Sequence, residues 1–79
     1  MSYSVGQIVK ATAGRDKEGF FIIKEIDGKF AYIVNGKQRK IDSPKKKKLI
    51  HLMPTKTVVQ EFSTNREVVR ILSKFQDNK

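Results

Sequence analysis

The sequence predicts a small, mainly β domain: a barrel of about five short strands with one α-helix at its C-terminal end. Three observations carry that prediction. Asp27-Gly28 and Asn35-Gly36 sit eight residues apart, and each is the strongest short-range signal for a two-residue type I′ hairpin. Short runs of β-branched and aromatic residues lie around these turns, bounded by Gly and Pro. After residue 63 the apolar residues change to helical spacing.

Residues 5–13 read as a first strand, with Val5, Ile8, Val9 and Ala11 as its apolar members. Gly14-Arg15-Asp16-Lys17-Glu18-Gly19 is a charged loop between two glycines that tolerate positive φ. Residues 20–26 (Phe-Phe-Ile-Ile-Lys-Glu-Ile) form a second strand, residues 29–34 a third and residues 37–41 a fourth, joined by the two Xaa-Gly turns into an antiparallel meander. Two-residue loops also set the register. Ile22 is then expected opposite Ile33 and Ile23 opposite Tyr32 in the first hairpin, with Tyr32 opposite Arg39 and Ile33 opposite Gln38 in the second. One face would carry Phe21, Ile23, Phe30, Tyr32, Val34 and Ile41 towards the barrel interior. The other would carry Phe20, Ile22, Ile26, Ala31 and Ile33 among Lys24, Lys29 and Lys40, too apolar to face water uncovered.

Pro44 lacks the N–H a ladder needs and ends the meander. Residues 48–53 read as a last short strand stopped by Pro54, which places the barrel within residues 1–54 and a connector at 55–63. Thr64-Asn65-Arg66-Glu67 has the form of a capping box. Val68, Leu72 and Phe75 follow at helical spacing, so residues 64–76 are expected as a helix too short to be stable alone. It must dock, and the second meander face is where it would lie.

A chain of 79 residues holds one small domain. Its 17 Lys and Arg outnumber 8 Asp and Glu, for a formal net charge of +9, which points to nucleic acid or another anionic partner. Cysteine is absent, removing disulfides and thiolate metal sites and suiting a reducing compartment. The N-terminal residues hold no apolar run of the secretory kind. The longest apolar run, residues 20–23, is far short of a membrane span. A cytoplasmic monomer with no membrane partner is the expectation.

The charge is concentrated. Seven of the seventeen basic residues lie between Lys37 and Lys48, against the single acid Asp42. Like charges that dense repel unless an anion neutralises them, and a polyphosphate backbone does so with release of counterions. Arg15 and Lys17 on the first loop, Lys37, Arg39 and Lys40 after the second turn, and Lys45, Lys46, Lys47 and Lys48 on the next connection are therefore expected to share one basic surface. Tyr32 opposite Arg39 would add a stacking or cation–π pair. His51, the only histidine, lies between Ile50 and Leu52 and would turn towards the lysines, in a structural or base-stacking role. With one histidine and no cysteine, neither a Cys/His nucleophile nor a multi-histidine metal site can be assembled. Gly14 to Gly19 lacks the Lys-Ser/Thr of a phosphate-binding loop. No catalysis, cofactor or metal is expected.

Val5-Gly6-Gln7-Ile8-Val9, then Gly14-Arg15-Asp16, and Gly19 before an apolar strand resemble the KOW motif of ribosomal proteins and transcription elongation factors. Asn35-Gly36-Lys37-Gln38-Arg39-Lys40 and Pro44-Lys45-Lys46-Lys47-Lys48-Leu49-Ile50-His51-Leu52 resemble more particularly the bacterial KOW-domain proteins related to the L14e type of large-subunit ribosomal protein. The resemblance covers residues 5–53. It implies an SH3-like barrel that binds ribosomal or ribosome-associated RNA, with ribosomal proteins as further partners. It implies functional weight on Gly14, Arg15, Lys17, Arg39 and Lys45 to Lys48. Residues 55–79 lie outside it, and their helix would serve either as a cover for the barrel or as a docking site for a protein. Two other readings stand beside this one. An SH3-like barrel also suits a protein-interaction module for an acidic or helical partner in translation or transcription. A lysine run after proline also has the form of a nuclear import address.

Overall fold

The computed structural model describes residues 2–77. In chain order these form β1 (Gln7–Ala11), β2 (Phe20–Asp27), β3 (Phe30–Val34), β4 (Lys45–Lys48), a 3-10 turn (Leu49–His51), β5 (Leu52–Val58) and α1 (Asn65–Asp77). All strand pairs are antiparallel, in the order β4-β3-β2-β1-β5. The expected fold class, mainly β and barrel-like with a C-terminal helix, is the one observed.

Each face of the sheet carries a buried core. Val9, Ala11, Phe21, Ile23, Ala31, Ile33 and Leu52 fill its concave side, where Tyr3, Ile26 and Leu49 pack against them. On the convex side Ile8, Ile22 and Val34 meet Val68 and Leu72 of α1, with Phe20, Ile41, Phe62 and Phe75 around them. The Phe20 and Phe75 rings meet edge-on at 5.3 Å between centroids. The helix thus docks over Phe20 and Ile22 of β2 as expected, but on β3 it covers Val34, while Ala31 and Ile33 lie in the other core. Its capping box is also as read: the Glu67 N–H donates to Thr64 Oγ1 (3.1 Å), and Glu67 Oε1 accepts the N–H groups of Ser63 (3.0 Å) and Thr64 (3.1 Å). These donors hold the Glu67 carboxyl below its ordinary value, the Ser63 N–H most of all.

The meander departs from expectation in register. Its loop residues are Gly28 and Lys29, because Asp27 pairs with Phe30. Only Gly28 takes positive φ (+60°), the pattern of a type II′ turn and not of I′. A bulge between Ile23 and Glu25 then shifts the ladder by one, so that Ile23 faces Ile33 and Ile22 faces Val34. Tyr32 faces Glu25 on one side and Lys46 on the other, not Ile23 and Arg39. Side chains alternate along a strand, so the slip changes which residues are inside. Ala31 and Ile33 enter the barrel core, while Phe30 and Tyr32 belong to neither core.

The expected strand at 37–41 is absent, and residues 35–43 form a loop. Asn35 closes it: its Oδ1 accepts the N–H groups of Lys37 (3.0 Å) and Arg39 (2.9 Å), and the Asn35 N–H donates to the Arg39 carbonyl (2.8 Å). An asparagine that bonds its own downstream backbone competes directly with a hairpin. The loop is then tied to the helix, where the Ile41 N–H donates to Asn65 Oδ1 (2.8 Å). The lysine run takes the vacated place as β4, paired with β3.

The last strand also differs. The 3-10 turn interrupts the expected strand at 48–53, and Pro54 sits inside β5 opposite Val9. Proline is tolerated there because β5 is a sheet edge. The ladder continues to Val58 across a bulge at Gln7/Val9. Side chains bridge that bulge, Thr55 Oγ1 donating to the Ile8 carbonyl (2.7 Å) and Gln7 Nε2 to the Thr55 carbonyl (2.8 Å). Part of the expected connector is therefore barrel.

Candidate nucleic-acid interface

The long β1–β2 loop and the lysine strand are held together by one acid. Asp16 accepts two hydrogen bonds from the Arg39 guanidinium, Nε to Oδ1 at 3.2 Å and Nη2 to Oδ2 at 3.0 Å, a bidentate pair. Lys47 Nζ lies 3.7 Å from Asp16 Oδ2 and donates to the Ala13 carbonyl at 2.8 Å. Lys47 stands opposite Ala31 and is only 9% exposed. Its stem covers apolar surface and only its tip reaches the polar loop. The Asp16 side chain is itself only 12% exposed. Gly14 makes the approach possible: its φ is +79°, and a Cβ there would stand 3.0 Å from Lys47 Nζ. Inside the loop Glu18 turns to φ +73°, and it reaches Lys10 at 3.4 Å.

This clamp joins three segments that carry the expected site. Arg15 and Lys17 flank Asp16 in sequence and are exposed; Lys37 and Lys40 flank Arg39 and are exposed; Lys45, Lys46 and Lys48 surround Lys47 and are exposed. Arg15, Lys17, Lys37, Lys40, Lys45 and Lys48 make no side-chain hydrogen bond or ion pair among the described residues. Two of the expected contact residues, Arg39 and Lys47, already have Asp16 as anion. Lys46 and Lys48 face the outer side of the sheet, where Lys46 Nζ stands 4.5 Å from the centroid of the Phe30 ring. His51 is half-buried in the 3-10 turn, and its carbonyl accepts the Thr12 N–H at 2.9 Å. It stands at the root of the β1–β2 loop and not on a strand.

Sequence reading missed Asp16. The available signal was an acid between two basic residues in a glycine-bounded loop, the arrangement that a distant cation can close. The pairing of Tyr32 with Arg39 is replaced by the pairing of Arg39 with Asp16, because the loop at 35–39 carries Arg39 off the sheet. Among the described residues no group of three or more His, Cys, Asp or Glu gathers in a way that could hold a metal ion, and no helix is long and apolar enough to cross a membrane. The chain matches no protein-family model, and a search of curated proteins finds no match.

Proposed function

We propose that this chain is a non-catalytic RNA-binding module of the KOW type, acting in the cytoplasm on ribosomal or ribosome-associated RNA. The observation that carries the reading is the set of exposed, unneutralised cations gathered around the Asp16 clamp: Arg15, Lys17, Lys37, Lys40 and Lys45, continued along β4 by Lys46 and Lys48. Their mutual repulsion is relieved by a phosphate backbone, which also gains from counterion release. Paired inward, Arg39 and Lys47 position these residues and do not themselves meet phosphate.

A nuclear-import reading has less support. An import receptor needs an extended lysine run, whereas Lys45 to Lys48 are paired with β3 and Lys47 is buried. A protein-docking reading draws on Ile50, which is 81% exposed at the tip of the 3-10 turn. Affinity for RNA measured across a salt series separates these readings. Replacing Lys45, Lys46 and Lys48 together by alanine is expected to weaken binding evenly across sequences. It should also flatten the slope of log affinity against log salt by up to about 2, at about 0.7 per lost contact on a single strand. Equal slopes and equal affinities in wild type and variant would overturn the reading, and absence of RNA binding at low salt would favour docking to a protein.

A further inference from the structure

The helix covers only part of the convex face. Ile8, Ile22 and Val34 lie beneath it, but β3 continues beyond its edge, and there its outward residues are Phe30 and Tyr32. Both rings are half-buried, and neither joins a core. The Tyr32 hydroxyl has no hydrogen-bond partner among the described residues. On the β4 side the rings are bordered by Lys46, opposite Tyr32, and Lys48, opposite Phe30. On the β2 side they are bordered by Glu25 and Asp27. Beyond Phe30 the face runs into a hollow of about 540 Å³ lined by Gly28, Lys29, Phe30, Lys48, Leu49 and Ile50.

We propose that Phe30 and Tyr32 form a stacking platform for unpaired bases of single-stranded RNA, with Lys46 and Lys48 on the phosphates and the adjoining hollow taking a further base. This inference rests on the RNA-binding reading and specifies the form of RNA it involves. Rings at alternate positions of one strand are roughly 6.7 Å apart, about twice the 3.4 Å between stacked neighbours in a helix. In a duplex each base face is covered by its stacked neighbours, so none is free to lie on a ring, whereas a stretched single strand can set adjacent bases at the ring spacing. Aromatic faces beside a basic track are the general means of holding such a strand without sequence preference. The acids on one side and lysines on the other set its course, because the backbone must follow β4 and its bases point across β3. That course leads along Lys46 and Lys48 towards the hollow. In the free protein Lys46 occupies the Phe30 face; its flexible side chain exchanges the ring for a phosphate when a base arrives. A peptide is the less fitting occupant, since both rings lie beside the lysine edge of a chain with net charge +9.

The test uses the full chain with oligouridine, oligoadenosine and a blunt-ended, fully paired RNA duplex. Phe30→Val and Tyr32→Val preserve strand preference and remove the ring faces. Each is expected to lower single-strand affinity about 5- to 150-fold, the range of one base–aromatic stack. The salt slope should stay unchanged, since stacking releases no counterions, and the duplex should bind as before. Tyr32→Phe should retain wild-type affinity, separating the ring face from the hydroxyl and from any loss of folding. The ring protons of both residues should move upfield in NMR spectra as oligouridine is added. Single-strand affinity unchanged in both valine variants, with ring resonances unmoved, would overturn the platform while leaving RNA binding elsewhere intact. Ring resonances that respond to an acidic peptide and not to RNA would overturn it in favour of a protein partner. Failure of the wild type to bind any of the three RNAs would remove the RNA-binding reading itself.

Discussion

Replacing Asp16 by asparagine keeps the shape of the clamp and removes its charge. Arg39 and Lys47 would then face each other with no anion between them. At an effective dielectric constant of about 20, one charge pair at 3.7 Å is worth roughly 4–5 kcal/mol before desolvation. Lys47 retains the Ala13 carbonyl, and the Arg39 side chain is 27% exposed, so water screens part of that loss. The net destabilisation is about 2–3 kcal/mol, below the range for breaking a fully buried pair. For a domain of this size that lowers the melting temperature by roughly 10–20 °C. Thermal and urea unfolding followed by circular dichroism measure it directly. The difference should persist at high salt, because pairs out of water are weakly screened. In the Asp16→Asn background, a second change, Lys47→Met, should recover most of the loss, since methionine covers the same apolar surface and carries no charge. A shift below about 4 °C, or no recovery in the double variant, would show that Asp16 does not hold the loop to β4.

Deleting residues 63–79 uncovers Ile8, Ile22 and Val34, each fully buried in the intact chain. At about 1.5–3 kcal/mol for each side chain, the loss approaches the whole stability of a small domain, so the truncated chain should unfold or aggregate; an unchanged melting temperature would mean that the helix is no part of the core. For Glu67 the folded carboxyl lies below its ordinary value of 4.5, so its stabilising contribution is complete above that pH and disappears as pH falls through the lower folded value. Helicity in that acid window should fall further in wild type than in Glu67→Gln, whose amide oxygen accepts the same N–H groups at every pH; parallel acid titrations of the two proteins would count against the capping box.

Local chemistry was legible in the sequence wherever a few neighbouring residues decide the outcome. Thr64 and Glu67 satisfy each other's donors across one helical turn, and no distant contact can reverse that. The same holds for the glycine-bounded loop, and for the presence of a turn at Gly28 though not for its type. Register is a different kind of quantity. A single bulge at Lys24 and a loop one residue further on exchange the two faces of β3, and neither leaves a mark in hydrophobic patterning. Ala31 and Ile33 are as apolar as the pair they displace, Phe30 and Tyr32, so periodicity alone could not tell which pair is inside. Asn35-Gly36 misled for a more specific reason. The dipeptide suits a hairpin only while the asparagine side chain is idle, and here it binds Lys37 and Arg39.

The lysine run shows how far composition can reach into a site. Four consecutive lysines read as one solvated, interchangeable stretch, yet on a strand they must alternate between two faces. Lys46 and Lys48 take the outer face. Lys47 takes the inner one, where a cation is tolerable only with a long apolar stem, a carbonyl at its tip and an acid within reach. Asp16 and Ala13 supply those last two partners from a loop more than thirty residues away. The acid that neutralises Lys47 therefore also fixes where Arg15 and Lys17 stand relative to Lys45. Net charge attracts an anion from a distance; the buried pair decides which lysines remain to meet it. Substituting the whole run would consequently mix a binding defect with a folding defect, and only the alternate-residue variants, Lys46 and Lys48 against Lys47, can separate the two.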